Sequence, residues 1–272
     1  MKTVRTIFCL GVIGLAAPAA AGDAFSSDWA GGLKSSARLI GGDASGARVQ
    51  AGVEIKLAPG AITYWRNPGD AGVPPTFSFE GSENLKDAEP RFPAPRRLNE
   101  GDGEAFGYDH SLVLPIDVTP ADPGKPATLA LKLNYAVCEK ICVPARADLR
   151  LRLDKGEGAS PFADALNKAT ALVPPFVDWS ALAGKATLVS AGDKAWRFCL
   201  EAQPGQDLFI EAPAPWWFSA AREDVSPPGL SCFRVKLEQK PADQELPVTA
   251  HLTVAGALAF ETSVALDARP AQ

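Results

Sequence analysis

The strictest constraint in this sequence is a period-two pattern that runs up to a pair of close cysteines and resumes beyond it. Ala127, Leu129, Leu131, Leu133, Tyr135 and Val137 fall on one side of the alternation, and Thr128, Lys132 and Asn134 on the other. Past Cys138 and Cys142, Leu149, Leu151 and Leu153 alternate with Asp148, Arg150 and Arg152. Successive strand side chains point to opposite faces, so this is the pattern of a β-hairpin with one buried face. A three-residue turn of Glu139, Lys140 and Ile141 sets Cys138 opposite Cys142 on neighbouring strands. Opposed residues have Cα atoms about 4.5–5.5 Å apart, within the roughly 4.4–6.8 Å that a disulfide accepts. A bridge over so short a loop stabilises by only about 2 kcal/mol in chain-entropy terms. Spacing alone leaves a hairpin staple and a redox pair equally open.

Similar short strands recur along the chain. Val49, Ala51, Val53, Ile55 and Leu57 alternate with polar residues until Pro59-Gly60, a turn dipeptide. Extended structure resumes over residues 62–66, breaks over 67–75, and returns briefly at 76–79. Three prolines make residues 90–97 a rigid extended connection, and Leu112, Leu114, Ile116 and Val118 form another alternating strand. The polar, Gly-rich residues 23–46 read as an extended lead-in anchored by Trp29 and Arg38-Leu39-Ile40. Residues 101–108 read as a glycine-punctuated loop holding Glu104, Phe106 and Tyr108. With 24 Gly and 24 Pro, the chain favours turns over long helices. The fold class is all-β, with a sandwich as the first domain, residues 22–155.

A second β-rich domain, again read as a sandwich, is expected over residues 156–272, opened by one short helix. Ser160 reads as its N-cap and Pro161 as its first residue, with Phe162, Leu166, Ala169 and Val173 on one face. Strand patterns follow at 187–190, 195–201, 207–211, 232–238, 248–255 and 259–266. Cys199 lies in the strand of Trp196, Phe198 and Leu200, and Cys232 opens that of Phe233, Val235 and Leu237. Bridged, they close a loop of a few dozen residues, stabilising by roughly 3–4 kcal/mol, as a structural disulfide should. Trp216 and Trp217 read as core or loop-packing residues.

Residues 1–21 read as a cleaved secretion signal: Lys2 and Arg5, an apolar core from residue 7 to 17, then small residues before Gly22. Its apolar run is shorter than the roughly 20 residues a membrane span needs, and no later stretch is longer. Cleavage removes Cys9 and Met1, leaving four cysteines, an even count that suits disulfides in an oxidising compartment. A net charge of −5 without a basic cluster excludes a nucleic-acid surface. Two scattered histidines, His110 and His251, do not make a metal site, and His251 reads as a surface residue. No serine-histidine arrangement, phosphate-cradling loop or zinc spacing is present, and no metal or cofactor is expected. Only the close cysteine pair suggests chemistry. Lys140 in the turn favours a thiolate there and Glu139 opposes it.

At these residues the chain resembles the N-terminal periplasmic domain of DsbD-type thiol:disulfide interchange proteins, including the ScsB-like branch. The resemblance spans roughly Arg38 to Leu153. It is carried by Tyr64-Trp65-Arg66-Asn67-Pro68-Gly69-Asp70-Ala71-Gly72-Val73-Pro74-Pro75, by Phe92-Pro93-Ala94-Pro95-Arg96, by Phe106-Gly107-Tyr108 and by residues 135–144. The resemblance implies an immunoglobulin-like sandwich with Cys138 and Cys142 as the catalytic pair on adjacent strands. It implies a membrane-embedded thiol reductase as electron donor, and periplasmic thioredoxin-fold or disulfide-bonded proteins as acceptors. It also implies a flexible cap loop, residues 103–108, with Phe106 as lid beside Tyr108. Tyr64 and Trp65 would wall the sulfurs, Glu104 would supply an acidic group near the cap, and Cys142 would form the mixed disulfide. Two departures stand out. The three-residue spacing is that of the ScsB-like branch rather than of the best-known DsbD proteins, and the family's transmembrane and C-terminal thioredoxin-like domains are not seen. Two alternatives remain: a non-enzymatic binding or chaperone-like module with structural disulfides, and Cu(I) handling by paired thiolates.

Overall fold

The computed structural model describes residues 24–45, 48–100, 103–154, 159–192 and 194–267. The signal reading, with Met1 and Cys9, lies outside them, as do residues 155–158, where the two expected domains join.

Eleven strands build the first sandwich: β1 (Ala30–Gly31), β2 (Ser35–Ser45), β3 (Arg48–Leu57), β4 (Ile62–Gly69), β5 (Thr76–Ser78), β6 (Leu85–Pro90), β7 (Arg96–Glu100), β8 (Gly103–Tyr108), β9 (Leu112–Pro120), β10 (Ala127–Cys138) and β11 (Cys142–Leu153). One antiparallel sheet has the order β1-β2-β3-β9-β6. The other runs β11-β10-β4-β8-β7, with β5 also paired to β10. The alternation decides what lies between them. Leu129, Leu131, Leu133, Tyr135 and Val137 of β10 meet Val53, Leu114 and Ile116 of the opposite sheet in one core. Each such leucine contributes about 1.5–3 kcal/mol on burial. Between β10 and β11 the register runs unbroken from Ala127↔Leu153 to Cys138↔Cys142.

Residues expected to form a lead-in instead supply a full strand. β2 pairs along β3 from Ser35↔Leu57 to Ser45↔Arg48, burying Ala37, Leu39 and Ile40. The expected polar lead-in thus hides a strand that turns Ala37 and Leu39 inward and carries Ser36 and Arg38 on its other side.

The chain continues through α1 (Ala163–Ala171), then β12 (Ala186–Ser190), β13 (Ala195–Glu201), β14 (Asp207–Glu211), β15 (Trp217–Arg222), β16 (Leu230–Gln239), β17 (Val248–Ala255) and β18 (Phe260–Leu266). Sheets β12-β13-β16-β15 and β14-β17-β18 enclose a second core built on Trp196, Phe198, Phe233, Val235 and Leu252. Ser160 is not the helix cap, because α1 starts three residues later. Its hydroxyl accepts from the Phe162 amide at 3.0 Å and donates to the Gly41 carbonyl. The helix itself lies on the first sandwich. Leu166 is 1% exposed and sits where a Cβ on Gly52 would come within 2.7 Å of it.

The two sandwiches meet along β14. Period two turns Leu208 and Ile210 into the second core and Asp207, Phe209 and Glu211 toward the first sandwich. Phe209, 1% exposed, belongs to the first core and lies edge-on to Trp65 at 5.8 Å and to Phe106 at 4.9 Å.

Candidate redox site on the Cys138–Cys142 hairpin

Strand parity places the cysteines. Odd-numbered residues of β10 face the core, so Cys138 and its register partner Cys142 lie on the outer face of their sheet. They are joined in a disulfide with Cα atoms 4.0 Å apart. Cys138 is 2% exposed, whereas Cys142, at the start of the edge strand β11, is exposed. One sulfur is thus presented and the other held behind it.

The same parity selects their neighbours. β4 pairs with β10 through Cys138↔Ile62 and Val137↔Thr63, which sets Tyr64 beside Ala136 on the sulfur face. Ile62, Tyr64, Ala105, Ala136 and Cys138 form a small apolar cluster separate from the main core. Across from Tyr64 stands Gly107, where a Cβ would lie 2.1 Å from the Thr63 carbonyl oxygen, so only glycine lets β8 approach β4 this closely. β7 returns antiparallel to β8 in the register Glu100↔Gly103, bringing Glu100 to the sulfur face.

Glu100 and Tyr64 link the two sulfurs. The Tyr64 hydroxyl donates to the Glu100 carboxylate at 2.6 Å and lies 2.7 Å from Cys138 Sγ and 3.5 Å from Cys142 Sγ. Glu100 Oε1 lies 2.7 Å from Cys142 Sγ. Burial, then the hydrogen bond and charge of Glu100, push the Tyr64 phenol well above its ordinary value. It therefore stays protonated and donates throughout the physiological range. Once the pair is reduced, a Cys142 thiol meets an acceptor in Glu100, and the Cys138 sulfur meets the phenol. In the turn, Glu139 pairs with Lys34, and that hydrogen bond and charge hold its carboxyl below the usual range. Its opposition to a thiolate is therefore offset. Beside Cys142 opens a mostly apolar cleft of about 550 Å³ lined by Val73, Pro74, Tyr135, Val143 and Pro144.

Four of the expected site residues lie elsewhere. Residues 103–108 are not a loop but strand β8, hydrogen-bonded between β4 and β7. Phe106 and Tyr108 share the parity of Thr63, opposite to the sulfur face. Phe106 packs on Phe209, and Tyr108 is buried with its hydroxyl donating to the Pro93 carbonyl at 2.9 Å. Glu104 lies on that same side and pairs with Arg97. Trp65 follows Tyr64 directly, so the pleat turns it into the core, 0% exposed. Tyr64 alone of that pair walls the sulfurs. Glu100 was not singled out from the sequence. Its signal was the small-residue series Gly103, Ala105 and Gly107, whose parity marks an open floor opposite β7.

Cys199 and Cys232 are also disulfide-bonded register partners, on β13 and β16, at 7% and 0% exposure. His251 is not a free surface residue. It stacks on Phe176 at 6.0 Å, and its ring nitrogens lie 3.2 Å from Glu261 and 3.3 Å from Ser263.

Residues 37–153 match the family model described as Thiol:disulfide interchange protein DsbD, N-terminal. The segment is DsbD-like. That span ends with β11 and contains both cysteines of the hairpin, Tyr64 and Glu100. Among solved structures, the chain is similar to the N-terminal periplasmic domain of ScsB from Proteus mirabilis, at 18% identity and a TM-score of 0.71, covering 91% of this chain and 100% of that one. At that identity the likeness establishes the fold, an all-β arrangement shared across the DsbD-like segment and the sandwich that follows it. No curated protein sequence matches the chain. Among the described residues, no helix is long and apolar enough to cross a membrane.

Proposed function

We propose that the chain performs thiol–disulfide exchange through Cys138 and Cys142 in the periplasm, passing electrons from a membrane-embedded reductase to protein disulfides. The observation that carries this reading is the asymmetric pair, an exposed Cys142 whose sulfur stands against a carboxylate and a buried Cys138 behind it. In the reduced pair, the Cys142 thiol donates to Glu100 until it gives up its proton, and the thiolate then attacks one sulfur of an acceptor disulfide. A Cys142–acceptor bond forms, and the acceptor's other sulfur leaves as a thiolate that takes up a proton. Cys138 then gives up its proton and attacks Cys142 Sγ, re-forming the Cys138–Cys142 bond and releasing the acceptor's second thiolate. Two electrons and two protons pass to the acceptor. The apolar cleft beside Cys142 suits the acceptor segment that flanks its cysteine.

In this reading residues 22–155 are the redox domain and residues 156–272 a second domain. The Cys199–Cys232 bond, with both sulfurs buried, serves as a structural disulfide. Replacing Cys138 with Ala tests the order of attack: Cys142 should accumulate as a stable mixed disulfide with a model acceptor. Trapping through Cys138 in the reciprocal Cys142→Ala variant would overturn it.

The position of Glu100 favours one second reading. Its carboxylate oxygen and both sulfurs lie within 4.8 Å of one another, so the reduced pair offers soft thiolates to Cu(I) as cargo. Titration of reduced protein with Cu(I) against a competing chelator decides this, and absence of binding removes it.

A further inference from the structure

The strands that bring Tyr64 and Glu100 to the sulfurs are both held by one strand of the second sandwich. On β7, Arg97 stands three residues before Glu100, on the opposite face. Its guanidinium donates to Asp207 Oδ2 at 2.8 Å, to the Leu208 carbonyl at 2.8 Å and to the Ala220 carbonyl at 2.7 Å, and it pairs with Glu104 of β8. The same group lies 5.1 Å from the Phe106 ring and 5.2 Å from the Phe209 ring. On β4, Arg66 stands two residues after Tyr64. It donates to Glu211 at 2.7 Å and to Glu261 at 2.7 Å, while the Asn67 amide donates to the Ile210 carbonyl at 3.0 Å. Every residue of β14, from Asp207 to Glu211, thus makes a contact with β4, β7 or β8.

We infer that Arg97 is a positioning residue for the redox pair, and that the second sandwich acts through β14 to hold the β7–β8 hairpin so that Glu100 stays against Cys142 Sγ. The inference rests on the exchange reading above and gives the second sandwich a part in it. An edge strand is hydrogen-bonded to its sheet along one side alone. β7 is the last strand of its sheet, paired only with β8, so contacts across its back decide where its tip lies. A planar fork that satisfies three acceptors on the neighbouring sandwich fixes direction as well as distance, which a lysine ammonium at the same place does not.

The sign of one shift separates positioning from bulk charge. A carboxylate beside a thiol disfavours the thiolate, so Glu100→Gln should lower the midpoint of Cys142 alkylation by iodoacetamide, measured against pH in the reduced full chain, by about one pH unit. If Arg97 holds Glu100 in place, Arg97→Ala lets the carboxylate move off and also lowers the midpoint. If Arg97 acted only through its positive charge, its removal would raise the midpoint. Arg97→Lys, which keeps the charge and loses the fork, should lower it too. Asp207→Asn, on the second sandwich and gentler on folding, should move it the same way by less. Arg97→Ala should add nothing once Glu100→Gln is present. An unchanged or raised midpoint in Arg97→Ala and Asp207→Asn, or a shift that persists in full without Glu100, overturns the inference while leaving the exchange reading intact. A midpoint unmoved by Glu100→Gln itself overturns both this inference and the role given to Glu100 in exchange.

Discussion

Two disulfides in this protein share one backbone solution and differ in almost everything else. Cys138–Cys142 and Cys199–Cys232 each join directly opposed residues on adjacent antiparallel strands. The first closes a sequence separation of 4 and the second one of 33. The first presents one sulfur to solvent beside a carboxylate and a phenol, whereas both sulfurs of the second are buried. Cross-strand pairing makes a disulfide easy to form; access and the polar groups around it decide whether it is used.

The largest effect expected from this contrast is on activity. Cys142→Ala should abolish reduction of a model disulfide acceptor, while Cys199→Ala with Cys232→Ala should leave a folded chain able to exchange. Normal turnover by Cys142→Ala would break the comparison outright. Next comes the ease of reduction. The 138–142 pair should reduce well above the about −300 mV typical of structural disulfides, and the 199–232 pair below it, in a thiol titration that reads each pair by mass. Equal potentials would show that burial does not separate them. On stability the order reverses. Losing the 199–232 bond should cost roughly 3–4 kcal/mol in denaturant unfolding, and losing the 138–142 bond about 2 kcal/mol. Tyr64→Phe is smaller again. Deleting one hydrogen bond of about 1 kcal/mol should slow exchange by about fivefold, with the fold unchanged by circular dichroism. A rate equal to wild type would leave the phenol without a part in the chemistry.

Hairpin, register and both cysteine pairings were legible because period two and turn chemistry act locally. The bounds expected for the strands at 195–201, 207–211 and 248–255 are the bounds observed. β15 is not legible in the sequence because Trp216-Trp217-Phe218 is an apolar run without alternation, and its register is shifted between Trp217 and Phe218. Residues 101–108 read differently in sequence and structure for another reason. Glycines and aromatics in residues 101–108 suggest a loop, but Gly107 is there to admit the Thr63 carbonyl and Phe106 to meet Phe209, more than a hundred residues later. A partner that distant leaves no mark near Phe106 itself. Tyr64 and Trp65 could have been separated by parity alone, since adjacent residues of one strand cannot wall the same site.

The smallest effect concerns the seam between the sandwiches. Burial alone would raise the Glu261 carboxyl, but hydrogen bonds from His251 and Arg66, with their charges, outweigh it and hold the group at about 2. A lowered folded value means that this stabilisation is full above the ordinary carboxylate value and is lost as pH falls from about 4.5 toward about 2. Trp65, packed on Phe209 with Arg66 over its ring at 4.4 Å, reports the seam as the part of the fluorescence that a Trp65→Phe variant lacks. Glu261→Gln should flatten that acid transition, and an identical curve would assign the transition to other groups.

Phe209 also has a consequence in time. The chain is made from its N-terminus, so both cysteines of the hairpin and all eleven strands of the first sandwich precede the ring that fills the space between Trp65 and Phe106. A nascent chain stopped before Phe209 has its first core open at that point. Synthesis of β14 fills that opening and, in the same step, supplies Asp207 to Arg97 and Glu211 to Arg66.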